Sequence, residues 1–414
     1  MIIKIPIRTR LPIENIRFYL TLLCISSYAL LEHVSISIPA FSPVKYILLY
    51  IAAICIVFDV SLVFKNIRKK KYFYTAALLL MVISALLVSA YMNRSPVIGS
   101  SPMYGTIRLI LYLLELFALV IWTAETGRVH KVIRFLFRYL LILVVITDFM
   151  MLTGWIQFST GDHIAYLLGT KFSVVYRHIE LLALWIMCNQ ERYQYLRRKK
   201  SWIILMAVIV VALSYRIDCM TGTLGAIGFF GLYAFVDQGK QNRIRQLSNP
   251  LMLALSLLGS MLLPFVIDII VTIPIVEFVV EQLFHRDTTL TGRIYIFNVF
   301  NKKMSGHWLF GFGFGNGNAA AKWLFQYANA QNALLHWILQ TGIFATTFLC
   351  LWMCRIFSQL YSSRRYNQFI PIVVLIYVFV ALGVIETTFN MAVILWCALI
   401  WMYTCENKTN CSSS

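Results

Sequence analysis

Twelve apolar runs dominate this chain, centred near residues 17–35, 43–64, 72–92, 107–124, 133–153, 173–189, 201–217, 222–237, 249–273, 331–357, 368–385 and 390–405. Most are long enough to cross a hydrocarbon core of about 30 Å as a helix. In lipid a spanning segment must satisfy its backbone internally, which leaves the helix as the natural form for such runs. The sixth and eighth are short, so the count of spans is about ten to thirteen. Only 13% of the 414 residues are charged, about half the share of a soluble domain. A mean hydropathy of +0.76 leaves no room for a large water-soluble domain. The net charge of +19 suits nucleic acid only when the basic residues share one exposed face. Here they lie in short clusters between apolar runs, so no nucleic-acid partner is expected. The first run is long and lacks a small-residue cleavage site, so it reads as a retained helix rather than a leader. The expectation is an all-α polytopic membrane protein of about twelve transmembrane helices, one integral domain over 1–414 set among membrane lipids.

The connections decide orientation. Alternate gaps, starting with the N-terminus, hold Lys4, Arg8, Arg10 and Arg17, then Lys65, Arg68 and the three lysines 69–71. The next in the series hold Arg128, Lys131, Arg134 and Arg138, then Arg192, Arg197, Arg198, Lys199 and Lys200. Lys240, Arg243 and Arg245 follow, then Arg355, Arg364 and Arg365, and finally Lys408. These are 25 of the 36 basic residues, and the other 11 fall on the opposite side. Because positive charge stays inside, both termini are read as cytoplasmic, in a multi-pass membrane protein. Seven of the nine cysteines lie within apolar runs and only Cys219 is near the outer face, so no external disulfide framework is expected. Cys350 and Cys354 share a helix face without His or carboxylate, and neither a metal site nor a cofactor is read from them.

Most connections are short. The exception is the outer stretch 274–330, and loops of that size usually carry function. It reads as a helical piece over 275–285, then a helix over about 290–303 capped by Asp287, Thr288 or Thr289, with Ile294, Phe297 and Phe300 as its apolar stripe. The glycine-rich turn 311–318 follows, where four glycines permit positive φ, and a third short helix spans 319–328. The turn serves either as a tight re-entry or as a backbone cradle for an anion, with Gly313 and Gly315 at its centre. Arg286 and Arg293 on this loop, with Arg177 and Arg216 at other outer helix ends, defy the charge rule. They are read either as headgroup anchors and local ion pairs (Arg177 with Glu180, Arg216 with Asp218) or as one site for phosphate oxygens. Glu386 reads as a buried carboxylate facing the same cavity, and His336 as a histidine one turn inside the tenth span. Glu115 and Asp148 are read as hydrogen-bonding between helices, and Asp59 as snorkelling to the cytoplasmic surface.

Thr291-Gly292-Arg293 opening a helix, Gly311-Phe-Gly313 some twenty residues on, then Gln331-Asn332 entering a span with Gly342 following, resemble the O-antigen ligase/polymerase family in their order. Ser214-Tyr-Arg216 before a Gly-rich span resembles that family's Ser-Arg-Gly helix start. The resemblance covers roughly residues 170–400 and implies a GT-C-like arrangement with one large outer loop. It implies a metal-free transfer from a glycan on polyprenyl diphosphate to a hydroxyl of a second lipid-linked repeat unit, as in Wzy-type polysaccharide polymerases of O-antigen, capsule or exopolysaccharide. A flippase and a chain-length regulator are the implied pathway partners. Under it Arg293 stabilises charge on the leaving diphosphate, Arg177, Arg216 and Arg286 assist, and Gln331 and Asn332 hold sugar. Glu386, Asp287 or His336 serves as base, in that order. The ligase pattern of His, ten residues, then Gly has Gln331 in first place here, and glutamine takes no proton. That favours polymerase over ligase. The third reading, a transporter of lipid-linked sugars, expects internal symmetry or broken helices in both halves, and the sequence displays neither.

The charge alternation makes a direct prediction. In intact cells an impermeant thiol reagent should label Ser305→Cys and leave Ser201→Cys untouched; the reverse pattern inverts the orientation.

Overall fold

Helices follow the apolar runs. In the computed structural model the described residues are 12–32, 34, 38, 41–95, 98–154, 158–160, 163–193, 199–237, 241–274, 278, 281, 292–363 and 366–406. The N-terminal part comprises α1 (Pro12–Leu30), α2 (Phe41–Val57), α3 (Val60–Ile67), α4 (Lys70–Met92), α5 (Pro102–Thr126) and α6 (Val129–Thr153). Strands β1 (Phe158–Thr160), β2 (His163–Tyr166) and β3 (Gly169–Thr170) pair antiparallel in that order and lead into α7 (Lys171–Tyr193). Then come α8 (Lys199–Arg216), α9 (Met220–Asp237), α10 (Gln241–Leu247), α11 (Pro250–Leu262) and, after a short 3-10 turn, α12 (Ile267–Val271). The chain continues through α13 (Arg293–Lys303), α14 (Gly317–Phe325), α15 (Ala333–Ser363), α16 (Ile370–Leu382) and α17 (Met391–Cys405). Among the described residues the little sheet is the one departure from an all-helical chain; its strands are too short to have left a period in the sequence.

Among the described residues four helices, α4, α5, α6 and α15, are long and apolar enough to cross a membrane singly, and α2 with α3 makes a fifth candidate bent by 69°. α8, α9, α11, α16 and α17 are apolar and shorter. Helices apolar all round belong in a core, and α16 and α17 are buried on nearly every side. Trp401 of α17 stacks on Phe117 and meets Trp352 edge-on. The periphery is also apolar: α6 alone exposes Leu141, Ile142, Val145, Ile146, Phe149 and Leu152. A large exposed apolar surface of this kind suits a lipid surrounding.

Charged residues gather at one end of the bundle. Arg17 pairs with Asp59 at 3.1 Å, Arg128 with Glu14 at 2.8 Å, and Lys69 and Lys71 with Glu125 at 2.7 and 2.8 Å. All four cations belong to the set that charge alternation puts on one side. Asp59 sits in the break between α2 and α3 and joins them to α1, so it is a tether and not a snorkelling group. Asp148 Oδ2 lies 3.1 Å from His178 Nε2 across α6 and α7, as its position suggests. Glu115 differs: it is buried, and neither oxygen has a hydrogen-bond partner among the described residues.

Several sequence expectations for the outer stretch shift. Most of 275–285, with Arg286, Asp287, Thr288 and Thr289, lies outside the described residues. α13 starts at Arg293 with left-handed Gly292 at its N-cap and no side-chain cap. Ile296, Phe297 and Phe300 are its buried face, and Phe300 stacks on Phe325 of α14. α14 spans Gly317–Phe325 and not 319–328, because Gln326 turns left-handed at φ 65°. In the glycine turn Gly311, Gly313 and Gly315 take positive φ, whereas Gly317 is already helical. Ser214-Tyr-Arg216 closes α8 instead of opening a helix.

Gly342 explains the ten-residue spacing. It interrupts α15 with φ 79° and ψ 173°, leaving a helical segment of roughly nine residues between Asn332 and the break. Into that break the 308–312 segment is stitched: Ile343 N–H donates to Trp308 O and Phe312 N–H to Leu339 O, both at 2.9 Å. A Cβ on Gly342 would overlap the Leu309 carbonyl. Gly342→Ala should therefore lower stability by at least about 1–3 kcal/mol from backbone strain alone, read as a lower thermal midpoint of the detergent-solubilised protein.

Candidate functional site

The described helices enclose a cavity of about 1210 Å³ at the end of the bundle opposite the Arg17–Asp59 and Lys71–Glu125 pairs. Its walls come from the C-terminal end of α1, the starts of α2, α5, α7 and α15, the first residue of α13, the glycine turn, and the link between α16 and α17. Helix ends that are far apart in sequence meet here because neighbouring helices run antiparallel.

Arg293 is fixed on this wall by its own helix start. Its Nε donates to the Ile385 carbonyl at 2.9 Å and its Nη2 to Glu386 Oε1 at 2.7 Å. The approach needs Gly292, whose Cβ would overlap the Tyr327 hydroxyl. Burial pushes the Glu386 carboxyl up from its ordinary value, against the pull of the Arg293 guanidinium and of Lys171. The carboxylate read from sequence as a base is thus the partner that orients Arg293.

Arg177 also reaches the wall, and it is 2% exposed. Its Nη1 holds both oxygens of Glu180, at 2.6 and 2.8 Å, so the local-pair reading is the geometry found. Nη2 leans on the Ala29 carbonyl at 3.4 Å and ties α7 to α1. Arg216 is exposed at the end of α8 and does not line the cavity. Asp218, its suggested partner, pairs with Lys171 at 3.2 Å.

The remaining candidates divide in the same way. His336 and Gln331 line the cavity; Gln331 does so from a left-handed backbone at φ 54°. His336 Nδ1 is buried and has no hydrogen-bond partner among the described residues. Asn332 does not reach the wall: its Oδ1 caps α15 through Leu335 N–H, and its Nδ2 donates to Ser260 O and Val384 O. That role is structural. Gly313 is likewise a packing residue, pressed on Pro102, while Gly315 lines the cavity. Part of the turn's backbone is already engaged. Amides of Gly311, Phe312, Gly315 and Asn316 donate to His307 O, Leu339 O, Gln340 Oε1 and Gly313 O. Arg286 and Asp287 lie outside the described residues.

Sequence reasoning missed Glu32, Lys45 and Arg108. Glu32 Oε2 accepts from Met391 N–H at the start of α17, and Arg108 lies 3.5 Å over the Tyr46 ring. With them the cavity carries four cations, Lys45, Arg108, Arg177 and Arg293, against two carboxylates, Glu32 and Glu386. All four cations come from the 11 basic residues on the sparsely charged side, and none comes from the 25 on the other. The charge rule that singled out the arginines applied equally to Lys45 and Arg108, so the signal was present.

Comparison with family models, with curated proteins and with solved structures finds no match for this chain.

Because Arg177 and Glu180 are buried together, removing one partner leaves an uncompensated charge. Glu180→Ala should cost about 3–5 kcal/mol, measured as a lower thermal midpoint, whereas Lys322→Ala, at the exposed surface of α14, should leave the midpoint in place.

Proposed function

We propose that this chain is a membrane glycosyltransferase that polymerises polyprenyl-diphosphate-linked oligosaccharide repeat units into a surface polysaccharide. The observation that carries the reading is the convergence of four cations from the otherwise sparsely charged side on one cavity large enough for an oligosaccharide. Its twelve apolar runs would then be twelve spans, with both termini cytoplasmic and the cavity at the outer face of a bacterial inner membrane. Placing cations in such surroundings is costly, and they are retained where they meet an anion.

The chemistry uses these groups directly. The acceptor hydroxyl oxygen attacks the anomeric carbon of the donor sugar, and the anomeric C–O bond to the diphosphate breaks. The leaving diphosphate keeps the electron pair, and Arg293, held by Glu386 and the Ile385 carbonyl, faces the charge that develops. The hydroxyl proton goes to a base. With Glu386 engaged by Arg293, the proton acceptors on the cavity wall are His336 and Glu32. Trp337 and Phe389 line the same walls and supply aromatic surface for sugar rings.

Removing a group that stabilises developing charge typically costs about 10²–10³ in turnover. Arg293→Ala should therefore leave single lipid-linked repeats unextended in a deletion strain carrying equal membrane amounts of each variant. Arg293→Lys should fail substantially too, since an ammonium does not form the paired contact. Lys302→Ala, on the exposed end of α13 away from the cavity, should give normal chains; long chains from Arg293→Ala end the proposal. A second measurement addresses charge neutralisation: with four cations on the wall, purified protein should extend lipid-linked repeats in EDTA. Activity lost in EDTA and restored by magnesium would assign that task to a metal instead.

A further inference from the structure

The cations of the cavity form two groups on different helices. Arg293 stands on α13 with its carboxylate Glu386, and Arg177 on α7 with its carboxylate Glu180. Lys45 opens α2 and Arg108 lies in the second turn of α5. Neither Lys45 nor Arg108 is in an ion pair among the described residues. Both are instead positioned by aromatic rings: Arg108 lies 3.5 Å over Tyr46, and Lys45 stands 5.2 Å from Tyr28 and 5.8 Å from Tyr46. Both are half-buried and line the cavity. A ring face holds a cation without neutralising it, so these two retain full charge toward the cavity. Two half-buried cations gathered at the Tyr46 ring repel each other, and that cost is relieved when an anion binds near both.

We infer that Lys45 and Arg108 form a second anion subsite, which takes the diphosphate of the acceptor lipid while Arg293 takes that of the donor. This rests on the polymerase reading, in which each of the two substrates carries a diphosphate anchored at the same membrane surface. One cation cluster serves one leaving group. A second cluster in the same cavity, on α2 and α5, holds the acceptor so that its sugar hydroxyl points toward the donor's anomeric carbon. The acceptor diphosphate does not react, so this subsite acts in binding and not on the breaking bond. Tyr46 shares the task by fixing the Arg108 plane, which leaves the guanidinium edge for phosphate oxygens.

The shared ligand chemistry is a phosphate ester on a lipid, and its two sources are a polyprenyl diphosphate and an ordinary anionic phospholipid. The test is equilibrium binding of farnesyl diphosphate to the full chain in neutral detergent, with and without excess phosphatidylglycerol. The wild-type chain should bind two farnesyl diphosphates. Lys45→Gln/Arg108→Gln should bind one, Arg293→Gln should bind one, and the triple variant none, each with an unchanged elution profile; the thermal midpoint should hold in Lys45→Gln/Arg108→Gln and fall in the two variants that unpair the buried Glu386. Arg108→Lys, which keeps the charge, should retain weakened binding at the second position. If the double variant still binds two, or wild type binds only the one that Arg293→Gln abolishes, the second subsite is overturned and the polymerase reading survives. If phosphatidylglycerol displaces the second farnesyl diphosphate at comparable concentration, the site belongs to bilayer phosphate and the inference fails. A wild-type chain that binds none overturns both readings. Two sites untouched by Arg293→Gln would overturn the donor assignment alone.

Discussion

A charge removed from water must find a partner, and this constraint organises the polar parts of the molecule. Desolvating an ion costs several kcal/mol even after relaxation, so each deep cation here is matched locally. Arg177 has Glu180 three residues on, within one helix turn, and both are almost completely buried. Arg293 has Glu386, which is distant in sequence and reaches it only because the α16–α17 link folds over the start of α13. The first pair is settled by the helix; the second exists only when the tertiary structure does. Arg293 therefore reports on assembly of the cavity, whereas Arg177 mainly ties α7 to α1.

The second constraint is steric, and it sits at Gly342. Breaking α15 there opens backbone groups that the 308–312 segment fills with hydrogen bonds from Phe312 and Ile343. That junction holds the glycine turn against α15, and Gln340 of the same helix receives the Gly315 amide. Four amides of the turn, those of Gly311, Phe312, Gly315 and Asn316, are thus spent on protein acceptors.

How far this was legible in sequence depends on the range of the interaction involved. The helices follow the apolar runs because hydrophobic periodicity and length are local properties. Gln331 and Gly342 were recognisable by spacing, since a half-helix of fixed length separates them. The Arg177–Glu180 pair was visible for the same reason. By contrast, the pairing of Glu386 with Arg293 was not legible, because no local pattern joins residues 293 and 386. Asn332 read as a sugar ligand, yet its amide closes contacts to Ser260 and Val384 that only folding creates. Lys45 and Arg108 escaped notice because each stands alone in its run, and their convergence requires α2 and α5 to meet. The β1–β3 sheet escaped for a simpler reason: two to four residues do not establish a period.

Under the proposed function, the departure at residue 331 bears on which proton acceptor the site would use. The resembled ligase pattern has histidine there, and this chain has glutamine, which takes no proton. Gln331 precedes α15 in a left-handed conformation, and His336 lies in the helix's first turns; both face the same cavity. An imidazole is therefore retained on that wall, displaced by five residues along the chain. Glu32 stands on α1's end of the same space, fixed by the Met391 amide. If the imidazole takes the proton, His336→Gln should abolish extension and Glu32→Gln should spare it. If Glu32 takes it, the outcomes exchange. A single chain-length analysis of the two variants at equal abundance decides between them, and normal chains from both would move the base outside the described residues, where Asp287 lies.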